Sequence, residues 1–281
     1  MRLPWAAGQS RRSIDGVGLS CVEAGTGEPV LLLHGVPTSS FVWRLVQGLL
    51  APQLRTLALD LLGFGSSDKP DSRDLSLGAQ ADLVARFILA LEVGPVTLVA
   101  HDWGGAVAQV VAARYPGVLA RLVLVSSHTC ATWPSLQYDP FLADGAQCRS
   151  TVEDLLRYLR ETFPSQVAAR SSLSSEALAG YLAPWSTPAA MGAFFQVVRS
   201  GGAELLRDLE PALGRLRVPA LVVWGEADLL TPPEEGRRLA RALPDASFEL
   251  IARAGHLVPE EAPEMLAQKI VGLMQRTARS L

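Results

Sequence analysis

Apolar residues along this chain fall into two alternating rhythms. Mostly apolar runs at 29–33, 55–60, 96–99, 119–126 and 218–224 are short enough for strands buried on both faces. Between and after them, 41–50, 75–91, 105–115, 203–213 and 263–276 read as helices. The run 18–24 alternates apolar with polar, which predicts an antiparallel strand, and 248–251 supplies a last short one. Strands alternating with helices predict an α/β fold, a mostly parallel sheet flanked by helices on both faces. The rhythm breaks between 128 and 202. Trp133, Tyr138, Tyr158, Tyr181, Trp185, Phe194 and Phe195 fall there on helix-like stretches such as 151–160 and 175–182, with no convincing strand. Aromatics in such a segment are more often core than ligand contacts.

The chemistry starts where the run at 96–99 ends. Ala100-His101-Asp102-Trp103-Gly104 has the small-x-nucleophile-x-small spacing of a strand–turn–helix elbow, in which small flanking residues let strand and helix approach and push the central side chain up. That elbow usually carries serine. An aspartate there is ill suited to acyl transfer, because it would form an anhydride, but well suited to alkylation at an sp³ carbon, giving an ester that water hydrolyses. Taken alone, Asp102 also reads as a helix N-cap.

Composition narrows the partners. The chain has 281 residues, 49% hydrophobic and 19% charged, which suits one large domain with an insertion better than two equal domains. A net charge of −3 gives no electrostatic case for nucleic acid, so small neutral ligands are the expected partners. Cys21, Cys130 and Cys148 are odd in number and lack Cys-x-x-Cys spacing, so neither a disulfide framework nor a metal site is expected, and they read as small buried fillers. The first twelve residues lack an apolar leader segment and no run of 18 apolar residues occurs, so a soluble cytoplasmic protein without membrane contact is expected, monomer or homodimer.

Three more stretches bear on Asp102. His34-Gly35-Val36-Pro37 follows the run at 29–33, and such a loop supplies backbone N–H groups to an oxyanion hole. The N–H groups of Val36 and Trp103 would hold one oxygen of an Asp102 ester while water attacks. The loop at 61–70 has no Gly-x-x-x-x-Gly-Lys pattern and reads as a glycine-rich turn rather than a phosphate cradle. A loop with two acids, Glu226 and Asp228, follows the run at 218–224, and His256 follows 248–251. Nucleophile, late acid, then histidine is the chain order of an α/β-hydrolase triad.

The chain resembles the aspartate-nucleophile branch of the α/β-hydrolases, which contains epoxide hydrolases and haloalkane dehalogenases. The matching stretches are His34-Gly-Val-Pro-Thr-Ser-Ser, Asp60-Leu-Leu-Gly-Phe-Gly-Ser-Ser-Asp-Lys-Pro, His101-Asp-Trp-Gly-Gly, Trp224-Gly-Glu-Ala-Asp and Gly255-His-Leu. The resemblance implies an eight-stranded, mostly parallel sheet formed by 1–127 and 203–281, with 128–202 a helical cap inserted after the strand that follows the elbow helix. It implies Asp102 as nucleophile, His256 as the base that activates water, and Asp228 as the acid behind His256. Glu226 is the competing acid, but the family's usual acid lies three residues after the strand-ending glycine, as Asp228 does after Gly225. A carboxylate on the far ring nitrogen fixes the tautomer and stabilises the imidazolium.

The leaving group divides the two activities. Halide needs only N–H donors, and dehalogenases resemble one another in using the indole next to the nucleophile plus an Asn in the His-Gly-x-Pro loop or a Trp in the cap. This chain has Trp103, but Val36 in that loop, leaving Trp133 or Trp185 as second donor. Epoxide oxygen leaves as a strong base and needs a proton donor, in similar enzymes a pair of cap tyrosines. Tyr138, Tyr158 and Tyr181 are the candidates, although Phe194-Phe195 stands where the second tyrosine is expected and Tyr181 also resembles a structural tyrosine of dehalogenases. Fluoroacetate dehalogenases look for arginines just after the nucleophile, where Trp103 and Ala106 stand here. Epoxide hydrolysis is the expectation, haloalkane dehalogenation the alternative, and a non-catalytic ligand-binding protein the outsider. Neither reaction calls for a metal or cofactor. Phe41, Phe64 and the cap aromatics predict an apolar pocket for a small hydrophobic substrate, with water as co-substrate.

Overall fold

Eight strands form one sheet in the computed structural model, which describes residues 9–133, 136–138, 150–169 and 172–278. The strands are β1 (Gln9–Ile14), β2 (Val17–Ala24), β3 (Pro29–Leu33), β4 (Arg55–Leu59), β5 (Val96–His101), β6 (Leu119–Val125), β7 (Ala220–Gly225) and β8 (Ala246–Ile251). Their order is β1-β2-β4-β3-β5-β6-β7-β8. β1 and β2 pair antiparallel with each other, and β2 pairs antiparallel with β4. Every other pairing is parallel. β5 and β7 are buried at all six positions, as their mostly apolar runs require. β1 escapes the sequence pattern because it is an edge strand of sequence QSRRSI with only Ile14 buried.

Helices α1 (Arg44–Leu50), α2 (Leu77–Ala90) and α3 (Trp103–Arg114) fill the first crossovers. α3 is buried from Trp103 to Ala112, which its small residues permit. A Cβ on Gly104 would stand 2.2 Å from the His34 carbonyl oxygen, and one on Gly105 2.2 Å from Ser127 Oγ. These two glycines let the helix start directly against the β3 and β6 loops. Between β6 and β7 come α4 (Val152–Thr162), α5 (Ser175–Leu182), α6 (Pro188–Arg199) and α7 (Ala203–Leu213). After β7 come α8 (Pro233–Ala242), α9 (Val258–Glu261) and α10 (Pro263–Ala278). α8 is the charged sequence PEEGRRLARA, buried at Gly236, Leu239 and Ala240, so its apolar stripe is too thin to read from pattern. α6 carries a stop-and-start signal that can be read, Thr187 as N-cap followed by Pro188.

Residues 128–202 contain no strand among the described positions. Their helices start on side-chain caps, including a capping box of Thr151 with Asp154 on α4. They are tied to the loops at the carboxyl ends of the strands. Trp185 Nε1 donates to the Pro37 carbonyl at 2.7 Å, and the His256 N–H donates to the Gln166 carbonyl at 2.8 Å. Tyr181 donates to Glu260, which also takes two bonds of 2.6 Å from Arg44. Among the described residues no helix is long and apolar enough to cross a membrane. Cys21 is buried and Cys130 half-buried, while Cys148 lies outside the described residues.

Candidate active site

Asp102 occupies the turn between β5 and α3 with φ 56° and ψ −125°, a left-handed backbone that a non-glycine residue adopts only under strain. Although it sits at the N-cap position, its carboxylate makes no capping bond to α3, so the simple cap reading fails. The side chain points at the β3 loop instead. Its Oδ1 accepts the Val36 N–H at 2.7 Å. Gly35 makes that approach possible, because a Cβ there would lie 1.9 Å from Oδ1. Trp103 opens α3, where backbone N–H groups lack partners within the helix.

The other oxygen faces histidine. Asp102 Oδ2 lies 3.1 Å from His256 Nε2, and His256 Nδ1 lies 3.0 Å from Asp228 Oδ2. Asp228 is held by Thr231 Oγ1 on Oδ2 and by the N–H groups of Leu230 and Thr231 on Oδ1. Glu226 is elsewhere, accepting the Arg253 N–H at the surface. Of the two acids in that loop, Asp228 is the one that meets the histidine. Asp102, Asp228 and His256 are all buried, so their electrostatics are strong.

Burial alone would raise the Asp102 carboxyl, but the imidazoles of His128 and His256 outweigh it and hold the group well below its usual value. Asp228 is likewise lowered, burial being outweighed by His256 and the Thr231 bonds. His256 feels the opposite balance. Burial opposes its charge, yet Asp228 and then Asp102 lift it to about 10. That balance favours the imidazolium form of His256 between the two carboxylates.

Residues 28–263 match the family model described as alpha/beta hydrolase fold. The chain belongs to that family. Among α/β-hydrolase relatives, Haloalkane dehalogenase 2 of Mycobacterium tuberculosis is 30% identical over 271 residues, covering 89% of each chain. The crystal structure of an alpha/beta hydrolase fold protein from Burkholderia ambifaria superposes with a TM-score of 0.86 at 30% identity, over 94% of this chain and 97% of that one. A structure titled epoxide hydrolase CorEH without ligand gives a TM-score of 0.83 at 25% identity, over 96% and 99%.

Within this α/β-hydrolase the expected leaving-group donors fare unequally. Tyr181 is committed to Glu260 at 2.7 Å and Tyr158 to the Gln137 carbonyl, so neither hydroxyl is directed at Asp102. Tyr138 is buried beside Asp102, its hydroxyl donating to the Val36 carbonyl at 2.9 Å. Burial and then the Asp102 charge hold that phenol well above its usual value. Trp133 donates to the Gly201 carbonyl at 2.9 Å and Trp185 to Pro37, so both indole N–H groups are already bonded. Trp103 Nε1 is buried with no hydrogen-bond partner among the described residues.

Two residues that the sequence reading passed over also meet here. His101 donates to the His256 carbonyl across 2.9 Å, and His128 Nε2 stands 2.9 Å from Asp102 Oδ2. The chain has four histidines, and all are buried around this site, each at or just after the carboxyl end of a strand. That placement is the signal that could have found them, since ligands of open α/β sheets gather there. His34 is structural. Its Nδ1–H bonds to Gly35 O at 2.8 Å and its Nε2 accepts the Leu61 N–H at 3.1 Å, which braces the loop of Gly35 and Pro37. Phe41 and Phe64 pack against Tyr181 and Trp185 respectively. A cavity of about 800 Å³ lies at the opposite ends of the strands, near Glu28, Arg121 and Asp245.

Proposed function

We propose that the protein hydrolyses epoxides of small hydrophobic compounds to vicinal diols through an alkyl ester of Asp102, with residues 128–202 as a cap over the site. Two committed indoles carry the choice of epoxide over halide. Trp133 and Trp185 are bonded to backbone carbonyls and Val36 offers only an apolar side chain, so a halide lacks the usual second donor. An epoxide oxygen has the Tyr138 hydroxyl, which needs only to exchange the Val36 carbonyl for the substrate. A phenol that stays protonated beside a carboxylate is matched to an alkoxide-like oxygen.

Oδ2 attacks the ring carbon while Val36 holds Oδ1. Forming the ester removes the charge of Asp102, one of the two carboxylates that sustain the His256 imidazolium. That proton passes to the phenolate that Tyr138 becomes on protonating the epoxide oxygen, and the neutral imidazole, oriented by Asp228, takes one from water as it adds to Cγ. The base thus becomes competent when the ester exists. Asp102 and His256 are each 2% exposed, so a substrate enters only if part of the cap moves aside.

Haloalkane dehalogenation is the second reading. The unpartnered Trp103 indole and the relatives carrying that name support it. The His256→Ala variant decides between them, because alkylation should proceed while ester hydrolysis stops. Incubation with a styrene-type epoxide should add the whole epoxide mass to the intact protein, and a bromoalkane should add nothing. Gain of an alkyl group without bromine would transfer the assignment to the dehalogenase. No adduct with several substrates of either kind would sink the ester mechanism.

A further inference from the structure

His128 lies outside the triad, yet it approaches the nucleophile more closely than His256 does, 2.9 Å from Oδ2 against 3.1 Å. Its ring is fully buried and fixed from several directions. The backbone N–H bonds to Asp102 O at 3.1 Å, and the His128 carbonyl accepts Gln109 Nε2 at 2.8 Å. The ring meets Trp133 edge-on, with centroids 5.1 Å apart. The tautomer follows from Thr132. Its hydroxyl accepts the Thr129 N–H at 2.9 Å, which leaves its own hydrogen for His128 Nδ1 at 3.0 Å in preference to the Thr129 carbonyl at 3.5 Å. A ring that accepts at Nδ1 donates at Nε2, the atom facing Asp102. That approach lies off the line of a good hydrogen bond, so the N–H has no aligned acceptor in the free enzyme.

We propose that His128 is a second catalytic imidazole, which serves hydrolysis of the ester by donating its Nε2–H to the oxygen that departs with the product. This rests on the ester mechanism proposed above. Attack makes the Oδ2–carbon bond and breaks the carbon–leaving-group bond. Water then gives a proton to His256 Nε2 and its hydroxide to Cγ, and the electron pair moves to Oδ1 at the Val36 N–H. On collapse that pair re-forms the carbonyl, the Cγ–Oδ2 bond breaks, and Oδ2 leaves as an alkoxide. His256 returns the proton to it. The Asp102 carboxylate is regenerated with one oxygen from water.

Only Oδ2 changes from nucleophile to leaving group, and both imidazoles touch it. His256 already donates one hydrogen bond to Oδ2 in the free enzyme, and a second aligned donor would further quench its lone pairs before attack. An off-line donor costs the first step little and becomes useful once Oδ2 bridges to carbon and later gathers charge. His128 is in this account a hydrogen-bond donor throughout, with no net proton transfer.

The test separates the two steps in His128→Phe, His128→Gln and Thr132→Val, with His256→Ala as reference and styrene oxide as the probe. Thermal unfolding first establishes which variants fold. Ester formation is followed by rapid quench and intact mass, and ester decay by the same means after substrate is exhausted. His128→Phe should form the ester at the parent rate or faster and hydrolyse it about 10- to 100-fold more slowly, so that ester accumulates at steady state. His128→Gln, which retains an N–H donor, should recover most of that loss. Thr132→Val, which frees the tautomer, should fall between them and stands in if His128→Phe does not fold. Parent-rate ester decay in His128→Phe, or in Thr132→Val in its place, overturns the role of His128 while the ester trapped by His256→Ala still stands. Failure of His256→Ala to trap any ester overturns both.

Discussion

On the sheet side of Asp102 the polar groups converge on one carboxylate, whereas on the insertion side most of them face away from it. Val36 N–H, His256 and His128 all reach the two oxygens of Asp102, and Asp228 and His101 hold His256 from behind. Across the site, Trp185, Tyr181, Tyr158 and Trp133 present N–H or O–H groups of the right kind, but each is bonded to a carbonyl or to Glu260. A buried polar tip must be bonded to something. In the insertion that need is met by docking onto the core through Trp185 and Tyr181 and by bonds within the insertion through Tyr158 and Trp133, so residue type alone misleads about chemistry there. Only Tyr138 faces both ways, anchoring to the loop of Val36 while standing beside the nucleophile.

The sharpest way to break this contrast is to disable the acid on the sheet side. Asp228→Asn should lower kcat by about 10³- to 10⁴-fold, since the tautomer and the imidazolium both lose their partner. Glu226→Gln, two residues away and bonded only to the Arg253 N–H, should stay within about twofold, as judged by diol formation, a near-neutral result in line with other surface substitutions. Equal losses in the two variants would mean that the loop, not the carboxylate, matters.

The acid side of the stability curve gives the next effect. Burial, then the neighbouring His256 charge, lower His101 to about 4 from its usual 6.5. The unfolded chain takes up this proton near pH 6.5 and the folded chain only near pH 4, so His101 costs stability as pH falls through that window and nothing above it. About 2.5 units corresponds to roughly 3 kcal/mol at full expression. His101→Gln retains a donor for the His256 carbonyl and should flatten that part of the pH dependence of urea unfolding. An unchanged slope between pH 6.5 and 4 would assign the acid sensitivity to His34, which burial also lowers, because the lowered carboxyls of Asp102 and Asp228 lose their stabilising charge only as pH falls below the unfolded carboxylate value.

The same division explains what could be read from the chain. The elbow at Asp102, the loop at Val36 and the Gly225-to-Asp228 spacing are set by backbone requirements that demand particular small residues, and those survive as motifs. The parallel strands were equally legible, because burial on both faces forces mostly apolar runs. β1 and α8 were not, being mostly polar elements that pair or pack by one or two residues. His128 and His101 were missed because each is a lone histidine at a strand end, and nothing local says which atom it will meet. The tyrosines cannot be sorted from the sequence for the same reason. Their hydroxyls meet partners more than 20 residues away in sequence, Glu260 for Tyr181, Gln137 for Tyr158 and Val36 for Tyr138.

Two tyrosine variants sharpen the contrast at its smallest scale. Tyr181→Phe deletes one bond to a Glu260 that keeps both bonds from Arg44, so the carboxylate is not orphaned. The loss should be about 1–2 kcal/mol of stability by urea unfolding, with kcat for an epoxide within about twofold of the parent. Tyr138→Phe also deletes one bond, but to a backbone carbonyl beside the nucleophile, and should lower stability by a similar amount while reducing the rate of ester formation. Ester decay should be unaffected, because Tyr138 acts on the oxygen that leaves in the first step and His128 on the one that leaves in the second. If Tyr138→Phe opens epoxides at the parent rate, Tyr138 joins the other anchors, and no tyrosine of the insertion described here takes part in the chemistry. The first-step donors would then be sought on the sheet side, beginning with the unpartnered indole of Trp103.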